Sequence, residues 1–516
     1  MATKRVNFDF LTNWIDLKKI IFYFFMLSII TLSLNIISYG FSYPIIDLFG
    51  FRQAQTAITS YWFIEEGYKF NYITPVLGPP WSIPFEFPIY QYLVSFTQKV
   101  SGLTLDQSGR FVSILFYYVS ATVLFFVFRA LKFTTIQSYV PVILFLGSPF
   151  YLFWSRTFMI ESTAIAFGLF SVLFFIKSNN SYKHKYVALA ILFGVLSALT
   201  KITTFGIFLT FISIIFIMNY FESRRHALNI SYRKLFVTIV PIIVVPLLVA
   251  MIWNNYADFL KSQNPLASFI VSENLFKWNF GTIEMKLALK TWLAVFSRGE
   301  LIMGSTGFIV LGFVSFISKK VSWISLAAIA SFLIGPIVFT NLYVVHEYYF
   351  YANGLFLLLF ISGGIIALLE YRYVFTSIGI VLLILIVMQY KYHTTYPSAI
   401  KQSQHSSLVK VGLAVKAKTK SSDIIIVYGH DWDSTIPYYA QRKAIMDRAY
   451  GALENERMLK SLGMLDKKEV GAVLLCKYNK YAKYDDFFRN SRIEYFKLNE
   501  QPTRVGRCDV YYRKDS

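Results

Sequence analysis

Charge is scarce in this chain: Asp, Glu, Lys and Arg make up 15% of its 516 residues, against roughly 25% in an average soluble protein. With 56% of the residues hydrophobic, and single soluble domains seldom exceeding roughly 250 residues, a soluble globular fold is excluded. Carboxylates are the scarcer sign, 29 against 50 Lys and Arg, a formal net charge of +21. In an apolar chain that excess raises the question of which side of a bilayer the cations occupy, and nucleic acid is the less favoured partner. Cysteine is nearly absent. Cys476 and Cys508 both fall in the last fifth of the chain, and neither has metal-ligand spacing around it. They are candidates for a disulfide if that region is extracytoplasmic and for free thiols if it is cytosolic. Internal repeats and low-complexity tracts are also missing.

What is present is a series of apolar stretches, near 20–39, 109–128, 137–154, 159–176, 186–200, 202–218, 235–253, 304–318, 322–340, 350–369 and 373–390. Read as about eleven membrane spans, an odd number, they put the termini on opposite sides. The first stretch follows Lys4, Arg5, Lys18 and Lys19 with no small-residue cleavage site after it, so it reads as a retained anchor with a cytoplasmic N-terminus. Short cytoplasmic loops are enriched in Lys and Arg. Arg129 and Lys132, then Lys177, Lys183 and Lys185, then Arg224, Arg225, Arg233 and Lys234, then Lys319 and Lys320, then Arg372 all fall on that side. Loop 254–303 falls outside yet carries Lys261, Lys277, Lys286, Lys290 and Arg298, and long loops obey the rule poorly. Within it Ile283, Leu287, Trp292 and Phe296 at helical spacing predict a helix lying along the interface.

From about residue 397 shorter or alternating apolar runs replace the long ones. Helices around 406–417 and 453–463, a strand from Asp423 to Gly429 and strands near 470–476, 493–497 and 508–513 are expected. The predicted architecture is an α-helical polytopic membrane protein with a small C-terminal extracytoplasmic α/β domain. A transmembrane domain spans 1–396, with outer loops 40–108 and 254–303, and a soluble domain spans 397–516. The localisation that follows is an inner or plasma membrane, crossed many times.

Ionisable residues are nearly missing from the middles of the spans, which counts against an ion-coupled transporter. They collect instead at the outer ends. Loop 40–108 holds Asp47, Arg52, Gln53, Gln55, Glu65, Glu66, Lys69 and Glu86, with Arg110 just beyond; later outer turns add Arg156 and Glu161, Lys201, Arg298 and Glu300, and His346-Glu347-Tyr348-Tyr349. Such convergence suits an anionic, lipid-linked substrate. If the donor is a sugar on a polyprenyl phosphate, the phosphate leaves as an anion, so cations rather than a general acid are needed on that side. Arg52, Arg110, Arg156 and Lys201 are the candidate phosphate-binding cations. A carboxylate must take the proton of the acceptor hydroxyl, and Asp47, closely following the first span, is the first choice, with Glu86 and Glu161 the other candidates. Gln53, Gln55, His346, Glu347, Tyr348 and Tyr349 are the candidate substrate-binding residues. Each has a plainer reading: Asp47 as a turn residue, the cations as snorkelling side chains, and Glu86 before Pro88 as the start of a helix. His346-Glu347 could hold a divalent cation, but no second histidine sits at ligand spacing, and a hydrogen-bonded pair is favoured. The aromatic richness is read as lipid-facing packing, with Trp62 and Trp81 as the exceptions. Gly429-His430-Asp431-Trp432-Asp433-Ser434 follows a strand directly, where α/β domains put ligand loops; it is a candidate for acceptor binding or for docking onto the membrane site.

Five motifs occur in order: Phe51-Arg52-Gln53-Ala54-Gln55-Thr56-Ala57, Glu86-Phe87-Pro88-Ile89-Tyr90-Gln91-Tyr92-Leu93, Gly109-Arg110-Phe111, Ser148-Pro149 with Ser155-Arg156, and His346-Glu347-Tyr348-Tyr349. Asp431-Trp432 and Pro437-Tyr438-Tyr439-Ala440-Gln441-Arg442 follow in the tail. Together they resemble bacterial membrane glycosyltransferases of the GT-C fold, the group that includes protein O-mannosyltransferases and the lipid A aminoarabinose transferase. The resemblance implies a polyprenyl-phosphate-monosaccharide donor, an extracytoplasmic site, an acidic catalytic residue in the first outer loop and inversion at the anomeric centre. Some members of the group use a divalent cation. Related chains usually read Arg-Gln-Ala-Asp-Thr-Ala, whereas here Gln55 stands for the Asp and cannot be a base. The expected function is transfer of one sugar to an extracytoplasmic glycan, glycolipid or protein hydroxyl. The alternatives are an oligosaccharide polymerase or ligase acting on lipid-linked chains, and a lipid-linked sugar flippase.

Overall fold

An apolar segment in lipid has no water to satisfy its backbone and must do so internally, as a helix. The computed structural model describes residues 24–181, 183–225, 232–447, 456–476 and 493–514, and its apolar stretches are helical. Seven helical segments among them are long and apolar enough to cross a membrane: Leu105–Ala130, Glu161–Asn180, Ile202–Phe221, Ile239–Ser262, Lys319–Val338, Glu347–Glu370 and Val374–Lys418. Shorter apolar helices run over Phe24–Ser38, Thr135–Gly147 and His184–Thr200. Lys4, Arg5, Lys18, Lys19 and the start of the first expected span lie outside the described residues.

Two expected spans are broken. The stretch 137–154 ends its first helix at Gly147 and restarts at Pro149–Trp154, because Pro149 lacks the N–H that would continue the ladder. The Ser148 hydroxyl at the break donates to the Ile302 carbonyl (2.7 Å). The stretch 304–318 forms Thr306–Ile317, which meets helix Leu289–Met303 at 90°. Gly304 at the corner has φ +83°, and a Cβ there would lie 2.9 Å from the Met388 backbone nitrogen, so the bend and the close approach both require glycine. The expected interfacial helix is also two pieces, Ile283–Leu287 and Leu289–Met303, separated by an extended Ala288. Ile283, Leu287 and Phe296 are exposed, while Trp292 is half-buried and donates its indole N–H to the Lys286 carbonyl (2.8 Å).

Burial separates the centre of the bundle from its rim. The apolar window of Glu347–Glu370 is 89% buried and that of Glu161–Asn180 83%, against 28% for Ile239–Ser262. The rim helices turn Leu248, Met251, Ile252, Phe375, Leu383 and Ile386 outward, which is stable only where the surroundings are themselves apolar.

The tail contains a five-stranded sheet of β1 (Ile424–Tyr428), β2 (Lys443–Ile445), β3 (Val470–Cys476), β4 (Thr503–Val505) and β5 (Cys508–Tyr512), in the order β2-β1-β3-β5-β4. β1 pairs in parallel with β2 and β3, and β5 runs antiparallel to β3 and β4. β1 and β3 are buried along their whole length, as expected of unbroken apolar runs in parallel pairing. Cys476 and Cys508 are register partners across β3 and β5 and are joined in a disulfide. Residues 493–495, expected in a strand, form a helical turn instead, and the expected helix around 453–463 is described over Glu456–Leu462.

The core of the tail sheet continues into the first loop. Its strands share one apolar cluster with Ile45, Ala54, Ala57, Ile58, Leu77, Tyr90 and Val112. Backbone bonds join them as well, from Ala444 N–H to the Pro75 carbonyl (2.8 Å) and from Gly78 N–H to the Ala444 carbonyl (3.1 Å). Loop 40–108 is thereby fixed between the membrane helices and the sheet.

Candidate active site

Helix Gly50–Glu66 carries the first motif, and its geometry divides that motif in two. Residues three apart on a helix are neighbours and adjacent residues are not. Arg52 accordingly donates to the Gln55 side-chain oxygen (2.8 Å), while Gln53 turns elsewhere, to Asp47 Oδ1 (2.7 Å). A polar cluster forms on each side.

The Gln53 cluster is sealed. Asp47 Oδ2 receives Arg156 Nη1 at 2.5 Å and Arg110 Nη1 at 3.5 Å, and all three side chains are fully buried. Asp47 Oδ1 also accepts the Leu48 N–H (3.2 Å). The outer nitrogens of both guanidiniums bond backbone carbonyls, while the Nε of each is buried without a partner: Arg110 Nη2 donates to the Tyr43 and Pro44 carbonyls (3.0 Å each), its Nη1 to the Arg156 carbonyl (3.2 Å), and Arg156 Nη2 to the Gly40 carbonyl (3.0 Å). The Gln53 side-chain oxygen accepts the Phe158 N–H (2.9 Å), tying this cluster to the turn before Glu161. Burial opposes ionisation of Asp47, but Arg156 and Arg110 outweigh it and hold the carboxyl below its ordinary value. Arg156 moves down to about 10, because burial and the like charge of Arg110 exceed the help of Asp47; it stays charged at neutral pH.

The Arg52 cluster is open to further bonding. Arg52 pairs with Glu86, and burial of Arg52 is outweighed by the nearby Glu86, Tyr348, Glu161 and Tyr349, which raise its pKa. Lys201 bonds Glu161 Oε1 (2.6 Å) and lies over the Tyr349 ring (4.2 Å) and the Tyr348 ring (5.2 Å). Those two rings stack on each other, 5.0 Å apart. His346 packs against both, and burial, with Lys201 and Arg52 nearby, lowers its pKa to about 4, so it is neutral at pH 7. Three buried polar atoms of this cluster have no hydrogen-bond partner: Gln55 Nε2, Glu161 Oε2 and His346 Nδ1. An unpartnered buried polar atom calls for an explanation, and a bound ligand or a catalytic role is one.

The structure therefore sorts the expected site residues. It brings Arg52, Gln55, Glu86, Glu161, Lys201, His346, Tyr348 and Tyr349 together, and it places Asp47, Gln53, Arg110 and Arg156 in the sealed cluster. Glu347 faces away from His346, toward Arg298 (3.0 Å), Trp154 Nε1 (3.3 Å) and the Tyr396 hydroxyl (3.5 Å). No group of three metal-ligating side chains forms among the described residues. Trp62 and Trp81 both flank Lys443 of β2, at 5.0 and 5.8 Å, and so brace the tail. Trp432 of the tail loop packs on Phe51 and Phe85, the neighbours of Arg52 and Glu86. Asp106, which no sequence motif marks, receives the hydroxyls of Tyr438 and Tyr439. The only local signal is an acidic residue in the first turn of a capped helix.

Comparison with known proteins agrees with this architecture. The family model for dolichyl-phosphate-mannose-protein mannosyltransferases matches residues 83–253, about a third of the chain. No curated protein matches it. Among solved structures, ArnT from Cupriavidus metallidurans bound to undecaprenyl phosphate superimposes with a TM-score of 0.62 at 10% identity, covering 94% of this chain and 97% of that one. The archaeal oligosaccharyltransferase AglB from Archaeoglobus fulgidus, in complex with an inhibitory peptide and a dolichol-phosphate, gives 0.56 at 12% identity, covering 88% and 69%. The arabinofuranosyltransferase AftD from Mycobacteria gives 0.53 at 12% identity, covering 95% of this chain, which spans 40% of that one. This chain has the GT-C fold of these membrane glycosyltransferases.

Proposed function

We propose that this chain, with its GT-C fold, is a membrane glycosyltransferase that moves a monosaccharide from a polyprenyl-phosphate donor to a hydroxyl of a glycan, glycolipid or protein. The observation that carries the reading is the Arg52 cluster, with two cations, two carboxylates and three unpartnered buried polar atoms in one place. The lipid phosphates in the ArnT and AglB structures support a donor of that class. The site is proposed to face the extracytoplasmic side, a placement that the disulfide in the adjoining sheet supports.

In this reading Arg52 and Lys201 bind the donor phosphate and stabilise the charge that grows on it as the C1–O bond breaks. The acceptor oxygen attacks C1 from the opposite side, the polyprenyl phosphate departs with the electron pair, and the hydroxyl proton passes to Glu161 Oε2. A single displacement of this kind inverts the anomeric centre. Glu86 orients Arg52; Gln55 and His346 contribute polar contacts to the donor, and Tyr348 and Tyr349 an aromatic wall. Asp47, with both oxygens engaged, serves as the organiser of the loop.

The test is turnover and lipid binding by the protein in nanodiscs. Glu161→Gln loses roughly 10²- to 10⁴-fold in transfer, the range for removing a general base. It binds undecaprenyl phosphate as tightly as the parent or more tightly, since Lys201 is released from its ion pair. Lys201→Met weakens that binding. Full transfer by Glu161→Gln would refute the assignment. The AglB likeness favours one second reading, transfer of a preassembled lipid-linked oligosaccharide; glycan mass spectrometry of cells with and without the gene separates the two, one residue lost in the first case and a whole chain in the second.

A further inference from the structure

We propose that Tyr439 of the tail is a positioning residue for the transfer reaction, so that the C-terminal domain sets the geometry of the Arg52 and Glu161 site. The proposal rests on the reading of that site given above. The Tyr439 hydroxyl lies between three segments distant in sequence. It donates to Asp106 Oδ2 (2.9 Å) and accepts the N–H of Ile45 (3.0 Å), while Tyr438 donates to the other oxygen of Asp106. Asp106 stands one turn before Arg110 on helix Leu105–Ala130. Ile45 stands two residues before Asp47.

From there the connection reaches the reacting groups through buried bonds already described. Arg110 and Asp47 are joined in the sealed cluster. Asp47 holds Gln53, on the helix that presents Arg52, and Gln53 holds the Phe158 N–H, three residues before Glu161. One phenol thus fixes the loop and the helix that together set the distance between a phosphate-binding cation and the base. Its own seat is rigid. Tyr438 and Tyr439 lie on the short helix Thr435–Ala440, and just after it Arg442 donates to the carbonyls of Ala440, Gln441, Lys416 and Thr419. Burial, and then the Asp106 carboxylate, keep both phenols protonated and able to donate.

Removing the Tyr439 oxygen leaves the Ile45 N–H, which is buried, without an acceptor and lets the Asp47 loop shift. Sub-ångström to one-ångström misplacement of reacting groups costs up to roughly 100-fold in rate. In the full-length protein in nanodiscs, Tyr439→Phe lowers kcat per folded molecule about tenfold or more, with KM for the lipid donor within about threefold. Tyr438→Phe, which keeps the Ile45 contact, stays within about threefold of the parent in kcat. A purely structural tie would lower the unfolding midpoint in both variants and leave kcat per folded molecule unchanged; that result for Tyr439→Phe overturns the proposal. Should Tyr439→Phe fail to fold, Asp106→Asn, which retains one phenol contact, decides: a kcat loss clearly beyond about threefold supports the proposal and a kcat within about threefold of the parent overturns it. The underlying site reading fails separately, if Glu161→Gln retains full transfer.

Discussion

Replacing Asp47 by Asn tests whether the first-loop carboxylate is a base or an organiser. The amide is nearly the same size, so packing is conserved, and one oxygen can still accept from Gln53 and Leu48. What changes is the face toward Arg156 and Arg110, 2.5 and 3.5 Å away. An amide N–H₂ there would meet two guanidiniums, donor against donor, with all three side chains fully buried. Breaking a buried ion pair by removing one partner costs about 3–5 kcal/mol, chiefly because a charge is left uncompensated. Here two guanidiniums are left, so the upper half of that range applies, set against net stabilities of roughly 5–15 kcal/mol in typical domains. Asp47→Asn should therefore unfold at a markedly lower guanidinium concentration, measured by tryptophan fluorescence in nanodiscs. Adding Arg156→Met should recover part of the loss, because the uncompensated charge goes with it. If Asp47→Asn is instead within about 1 kcal/mol of the parent, and loses more than about 100-fold in turnover while folded, the organiser role is wrong and Asp47 is the base.

Two further outcomes follow from other groups. Because His346 titrates at about 4 in the folded chain against 6.5 ordinarily, the unfolded chain binds the extra proton first. Stability falls as pH drops from about 6.5 toward 4, by at most about 1.4 kcal/mol per pH unit, and His346→Asn should remove that part of the slope in thermal scans at pH 7 and pH 5. The Cys476–Cys508 disulfide closes a loop of sequence separation 32, for which the chain-entropy relation gives about 3–4 kcal/mol. Reduction should therefore loosen the sheet, read as faster hydrogen exchange in β3 and β5, and no change in exchange there would contradict it.

Much of the architecture was legible because hydropathy registers burial in lipid directly, and the long helices stand where the apolar stretches predict them. Breaks inside those stretches were harder to see. Pro149 is a recognisable helix start, but that the chain restarts there depends on Ser148 reaching Ile302, more than 150 residues away. The strand β2 has no sequence signal, because three residues beginning with Lys443 carry no alternation, and it pairs on one side with β1 and on the other with Pro75 to Gly78 of the first loop. In the site, sequence showed at which end of the bundle the polar residues collect. It could not show that Arg52 and Gln53, adjacent in one motif, face different clusters, nor that the four expected cations divide into two that bind Asp47 and two that lie beside Glu86 and Glu161. The pairing of Asp106 with Tyr438 and Tyr439 joins residues over 330 positions apart, and no local pattern marks it.

The departure at position 55 becomes intelligible once charges in the Arg52 cluster are counted. Arg52 and Lys201 contribute two positive charges, Glu86 and Glu161 two negative ones, and His346 none at neutral pH. The cluster is balanced, and in the proposed function a donor phosphate enters it by taking over cations from carboxylates already paired with them. An aspartate at position 55, within hydrogen-bond distance of Arg52 as Gln55 is, would add one negative charge to a cluster that is balanced here. Two like charges about 4 Å apart at an effective dielectric of about 20 repel by about 4 kcal/mol before any compensating cation is counted. A neutral amide avoids that repulsion, and its unpartnered Nε2 would supply a donor to the phosphate of the proposed function. Glutamine at position 55 cannot be a base, so in the proposed function the proton goes to a carboxylate with a free oxygen. Within this cluster Glu161 Oε2 is a buried carboxylate oxygen left unpartnered, which is why the reading assigns it the proton.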